Sequence, residues 1–137
     1  MKNYLKAEFN AKGENESLAR IITTGFILPL DPTIEQLTDI KTSVSEAVTN
    51  SIIHGYENQN GIITLELELD ENLLKIKVID KGVGIANIDE ARKPLYTTKP
   101  YSERSGMGFT VMESFMDSLH IISSINEGTT VIMTKKL

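Results

Sequence analysis

Apolar and polar residues alternate from Leu5 to Phe9, the period of a strand with one buried face. The period then lengthens. Leu18, Ile21, Ile22, Gly25 and Phe26 recur at helical spacing and predict a helix over residues 14–28 with these positions toward the core. Pro29 and the pair Asp31-Pro32 interrupt it, and Thr33 with Gln36 has the spacing of a capping box that opens a second helix. Leu37, Ile40, Val44, Ala47 and Val48 make the apolar stripe of that helix, Glu46, Asn50 and His54 form a polar row beside it, and Gly55 stops it. Residues 61–69 and 73–79 read as strands joined by a turn at Asp70-Glu71-Asn72. Residues 86–105 are irregular and polar, and read as a mobile lid. Gly108 opens a further helix with Val111, Met112, Phe115, Met116 and Leu119 on its apolar face; strands over 120–125 and 129–133 follow, joined by Asn126-Glu127-Gly128.

Strand, two helices, hairpin, lid, helix, hairpin is the order of a two-layer α/β (α+β) sandwich, a mixed and largely antiparallel sheet with helices packed on one face. At 137 residues the chain is expected to form a single domain over 1–137. With 40% hydrophobic and 24% charged residues, it has the make-up of an ordinary globular protein. No apolar run approaches the roughly 18 residues of a membrane span, and the first residues lack a signal-peptide stretch, so the cytoplasm is the expected compartment. Zero cysteines exclude disulfides and thiolate metal sites, and two histidines are too few for a histidine-rich centre, so any metal should be held by oxygen. A net charge of −5 disfavours a nonspecific grip on nucleic acid.

The polar row on the second helix carries the first candidate chemistry. Glu46 and Asn50 lie one turn apart on one face. Asn50 offers a neutral amide oxygen suited to a magnesium ion that takes its other ligands from water and phosphates, and Glu46 is placed to act as a base. His54, one turn further on, reads as a helix-end cap or packed residue. Asp80-Lys81-Gly82-Val83-Gly84 follows a strand. On its own it is either a plain turn or a site where Asp80 accepts from an exocyclic amine such as adenine's while the glycines bring backbone close to the ring. Gly106-Met107-Gly108 is either a loop-to-helix junction or a phosphate cradle. Gly128-Thr129 alone is ordinary hairpin chemistry. Phosphate-loop, serine-hydrolase elbow and protein-kinase catalytic-loop motifs are all missing.

Taken in order, Glu46 to Asn50, Asp80-x-Gly82-x-Gly84, Gly106-x-Gly108 and Gly128-Thr129 resemble the N, G1, G2 and G3 boxes of the GHKL ATPase/kinase superfamily. That resemblance implies the Bergerat ATP-binding fold. It implies that Asn50 ligates Mg2+, that Asp80 and Thr129 read adenine, and that the Gly106-Met107-Gly108 turn wraps the phosphates of ATP or ADP beneath a lid over 86–107. Thr98, Lys99 and Arg104 in that lid are further candidate nucleotide contacts.

Within the superfamily, a histidine kinase carries its acceptor histidine on a separate domain, for which this chain has no room. Ser45-Glu46-Ala47-Val48-Thr49-Asn50-Ser51-Ile52-Ile53-His54-Gly55-Tyr56, with Thr97-Thr98-Lys99-Pro100 and Glu103-Arg104-Ser105-Gly106-Met107-Gly108-Phe109, is similar to the anti-sigma-factor serine kinases of sporulation. The implied activity is twofold: inhibition of a sporulation sigma factor, and ATP-dependent phosphorylation of an anti-anti-sigma protein on serine with Glu46 as base. A homodimer is implied as well. The alternatives are a nucleotide-dependent binding module without phosphotransfer and an ATPase subunit of a larger machine. On a helical wheel Arg20 points away from the expected core stripe of the first helix, flanked by Thr23, Thr24 and Ile27, which makes that outer face the expected partner surface.

Overall fold

A computed structural model describes residues 2–93 and 108–137. Its elements are β1 (Lys2–Asn10), α1 (Glu14–Ile27), α2 (Ile34–Asn50), β2 (Ile62–Asp70), β3 (Leu73–Asp80), α3 (Ile88–Ala91), α4 (Gly108–Phe115), β4 (Ser118–Ser124) and β5 (Gly128–Lys136). The strands form a five-stranded sheet in the order β1-β2-β3-β5-β4 with antiparallel pairing throughout. The helices cover one face, which gives the expected two-layer sandwich.

Strand parity sets what the helices meet. Ile63, Leu65, Leu67 and Leu69 of β2 and Leu74, Ile76 and Val78 of β3 are buried, while Glu66, Glu68 and Asp70 alternate onto the other face. The same parity on β3 brings Asp80, two residues beyond Val78, to the buried side. β5 repeats the pattern with Thr129, Val131 and Met133, which stand opposite Asp80, Val78 and Ile76.

The capping box of α2 forms as expected: Thr33 Oγ1 accepts from the Gln36 amide at 3.0 Å, and Gln36 Oε1 accepts from the Thr33 amide at 2.9 Å. Its stripe is also as read, with Ile40, Val44, Ala47 and Val48 buried. α1 is rotated relative to the sequence reading. Ala19, Thr23, Phe26 and Ile27 are its buried residues, whereas Ile21 is 69% exposed and Leu18 is exposed with it. Thr23 is the physical reason: its hydroxyl donates to the Ala19 carbonyl at 2.9 Å, so it enters the core with its polarity satisfied inside the helix. The face given to Arg20, Thr23, Thr24 and Ile27 is therefore corrected, since Thr23 and Ile27 are both 0% exposed.

α4 stops at Phe115, shorter than its apolar face suggests, because the Asp117 amide donates to the Thr134 carbonyl and the chain turns into β4, taking Leu119 with it. Within the segment read as an irregular lid, residues 88–91 form the short helix α3, capped by Asn87, whose side chain accepts from the Glu90 amide at 3.0 Å. Among the described residues, no helix is long and apolar enough to cross a membrane.

Candidate nucleotide site

The site begins where α2 ends. Beyond Asn50 the helix continues through Ser51–Gly55 with its turn widened to π type, and the Tyr56 amide donates to the Ser51 carbonyl five residues back. This turn carries Ser51 to the buried side, where its hydroxyl donates to Asp80 Oδ2 at 2.9 Å. The other carboxylate oxygen accepts from the Gly82 amide at 3.0 Å. Burial raises the Asp80 carboxyl above its ordinary 3.8, and hydrogen bonds from Gly82, Ser51 and the Thr129 backbone oppose that rise.

The loop after β3 is locked to the helix end by backbone. Val83 donates its amide to the Gly55 carbonyl at 2.9 Å, and the Asn126 amide donates to the Val83 carbonyl at 2.8 Å. A Cβ at Gly82 would overlap that Gly55 carbonyl, and one at Gly55 would lie 2.8 Å from Asp80 Oδ2. Only glycine permits both approaches. Tyr56 ties the same corner to the sheet: its hydroxyl donates to the Ile62 carbonyl at 2.6 Å and accepts from the Lys81 amide at 2.8 Å.

These elements enclose a cavity of about 520 Å³, within the range of small-molecule sites. Asp80, Ser51 and Thr129 line it together with Val83, Gly84, Ile85 and Ile125, and Asn50, His54, Gly108 and Phe109 complete its wall. At Gly108 the start of α4 closes on α2: a Cβ there would lie 3.1 Å from Asn50 Nδ2 and 3.2 Å from Glu46 Oε2. Glu46 and Asn50 are thus gathered at one glycine, as Asp80 and Thr129 are gathered across β3 and β5. The donor set fits a purine nucleotide with a hard cation. Acceptors at an otherwise apolar end suit an exocyclic amine, and a neutral amide oxygen beside a carboxylate suits an ion that keeps water and phosphate oxygens as ligands.

Of the residues expected from sequence, Asn50, Asp80, Gly84, Gly108 and Thr129 line this cavity, the Gly82 amide donates to Asp80, and Glu46 stands beside Gly108. His54, read as a cap or packed residue, also lines the cavity. Thr98, Lys99, Arg104, Gly106 and Met107 lie outside the described residues. Arg20 belongs to a different surface. It pairs with Glu16 at 3.2 Å, donates to Ser17 at 3.0 Å, and lines a groove with Ile21, Thr24, Gly25, Leu28 and Lys41. Sequence reasoning missed Ser51, Gly55, Tyr56 and Ser123. Ser51 follows Asn50 directly and could have been found from the helix phase; Ser123 is an ordinary strand serine without a local signal.

The histidine kinase-like ATPase domain family matches residues 9–135. The chain is 58% identical over 138 residues to an anti-sigma F factor of Clostridium perfringens, covering 100% of this chain and 99% of that protein. It is 55% identical to the anti-sigma F factor of Geobacillus thermodenitrificans and 56% identical to that of Bacillus cytotoxicus, in each case covering 100% of this chain and 94% of the relative. With a nucleotide-sized cavity lined by Asn50, Asp80, Gly84, Gly108 and Thr129, and relatives matched over the whole of this chain, the chain belongs to the histidine kinase-like ATPase domain family and, within it, to the anti-sigma F factors.

Proposed function

We propose that this protein is an anti-sigma factor that binds and inhibits a sporulation sigma factor and, as an Mg2+-dependent protein-serine kinase, phosphorylates an anti-anti-sigma protein. The observation that carries the reading is the cavity lined by Asp80 and Thr129 and by Asn50 and Gly108, with Glu46 beside Gly108. Bound Mg-ATP supplies the transferable phosphoryl group. Asp80 accepts from the exocyclic amine of the base, and Thr129 stands beside it. Asn50 contributes its amide oxygen to the cation. Glu46 takes the proton of the acceptor serine hydroxyl, a weak nucleophile near neutral pH. The names of the relatives support the sigma-factor partner; the serine acceptor, the anti-anti-sigma substrate and a homodimer follow from the resemblance in the motifs. A cytoplasmic location fits this role.

The test is transfer of labelled phosphate from ATP to candidate anti-anti-sigma protein. Glu46→Gln should lower the transfer rate about 10²- to 10⁴-fold with nucleotide affinity retained. Transfer at the parent rate would remove Glu46 as the base. Asn50→Ala should lose the magnesium-dependent part of ATP affinity.

The outer face of α1 supports a partner surface, because Leu18, Ile21 and Leu28 are exposed there and Arg20 and Lys41 line the groove beside them. Arg20→Glu should weaken binding of the sigma factor, the anti-anti-sigma protein or both, by about 2 kcal/mol, without changing ATP affinity. Parent-like affinity for both partners by calorimetry would assign the surface elsewhere.

A further inference from the structure

Three parts of the site meet at the hydroxyl of Ser123, in β4. It accepts from the Ile85 amide at 2.7 Å, just beyond the glycine-containing loop. It donates to the Gly128 carbonyl at 3.1 Å and lies 2.8 Å from Thr129 Oγ1. A serine hydroxyl has one proton and two lone pairs. With the proton directed to Gly128 and one lone pair taken by Ile85, the second lone pair is what remains for Thr129. In that arrangement the Thr129 proton points at Ser123, and its oxygen has only lone pairs left to offer the cavity. Thr129 lines that cavity, and Asp80, opposite it in register, carries a carboxylate that accepts.

We propose that Ser123 is a positioning residue that fixes the Thr129 hydroxyl as an acceptor and so makes the site select a purine bearing an amine at position 6 over one bearing a carbonyl oxygen. The inference rests on the nucleotide-binding reading and adds to it a determinant of base choice. An amine satisfies acceptors on both sides. A carbonyl oxygen brings lone pairs against lone pairs and leaves buried groups unpaired, which is how a site built around a hydrogen-bonding substrate rejects its analogue. Without Ser123, Thr129 is free to turn its proton toward the base and to donate to a carbonyl. The bond from Ile85 to Ser123 plays a different part: it steadies the loop for any nucleotide and does not distinguish bases.

Calorimetric affinities for ATP, GTP and purine riboside triphosphate, which lacks the 6-substituent, test this on the full chain, Ser123→Ala and Ser123→Thr. The parent should prefer ATP. Ser123→Ala should lower the ATP-over-GTP ratio about tenfold, the worth of one hydrogen bond, and Ser123→Thr, which keeps the hydroxyl, should restore it. Uniform weakening of all three nucleotides with the ratio intact would overturn the proposal, as would a Thr variant that behaves like Ala. Should Ser123→Ala fail to fold, Ser123→Cys, close in shape and a poor acceptor, carries the same ratio test. A parent that binds none of the three nucleotides would instead remove the nucleotide reading, an outcome seen before any variant is compared.

Discussion

At the inner end of the cavity backbone meets backbone: the Gly55 carbonyl takes the Val83 amide, and Gly82 packs so closely on Gly55 that a Cβ has no room. On α1, an added Cβ at Gly25 would meet no atom within 4 Å among the described residues outside its own helix turn, and Leu18, Ile21 and Leu28 face solvent. Both regions hold glycine and apolar residues. In the first the glycine is required by approach and the apolar residues wall a cavity; in the second neither is fixed by the protein's own packing. A rigid ligand calls for the first kind of construction, whereas a surface facing macromolecular partners tolerates the second. The same substitution should therefore have opposite effects in the two places.

Gly82→Ala is expected to cost about 3 kcal/mol or more, because the added carbon collides with main chain that cannot rotate away. Thermal unfolding measures it, and a melting temperature near the parent's would mean the loop is not held to the helix end as described.

Asp80→Asn should lower ATP affinity by about 10- to 100-fold, the worth of a hydrogen bond to a charged group. Its pH behaviour is more telling. The folded-state pKa is raised above 3.8 by burial. Just above that value the folded protein keeps a proton the unfolded chain has released. The group's contribution to stability is thus full below 3.8 and lost as pH rises through the raised pKa. Nucleotide affinity should run the other way, falling on acidification through the same window as the carboxylate loses its charge. Titrating stability and ATP affinity against pH should give slopes of opposite sign that Asp80→Asn removes together.

Ser43, buried in α2 with no hydrogen-bond partner for its hydroxyl among the described residues, probes the core shared by both regions. Ser43→Ala should raise stability by about 1 kcal/mol in urea unfolding, since no hydrogen bond is lost and a desolvated hydroxyl is removed. Gly25→Ala, the counterpart of Gly82→Ala, should be the smallest effect, a gain of about 0.5 kcal/mol from helix propensity alone. A loss there comparable to that at Gly82 would end the contrast between the two regions.

Much of the fold was legible because its signals are local. The Thr33–Gln36 box, the alternation in β2 and β3 and the stripe of α2 each lie within a few residues. The same alternation carried Asp80 to the inner face, so its neighbourhood was readable too. α1 was misread in phase because a threonine bonded to its own helix behaves as an apolar residue, which a scale of side-chain polarity does not capture. α3 was missed because a four-residue helix has too little length to show a period. Ser51 and Ser123 were not read because their partners are remote: Ser51 reaches Asp80 across 29 residues, and Ser123 receives the Ile85 amide across 38. The motifs named Asn50, Asp80, Gly84, Gly108 and Thr129, which line the cavity, and left unnamed Ser51, which lines it too, and Ser123, which contacts Thr129.

The strand order has a consequence for synthesis. β5 lies between β3 and β4, yet it leaves the ribosome after every other strand. Until it arrives, β4 has no neighbour in the sheet and Asp80 has nothing opposite it. The nascent chain can form the three antiparallel strands β1-β2-β3 with α1 and α2 on their face, but the Thr129 side of the cavity is absent from it. The cavity is thus complete only once β5 pairs with β3 and β4, and a chain cut short before Gly128 lacks both Thr129 and the strand that joins β4 to the sheet.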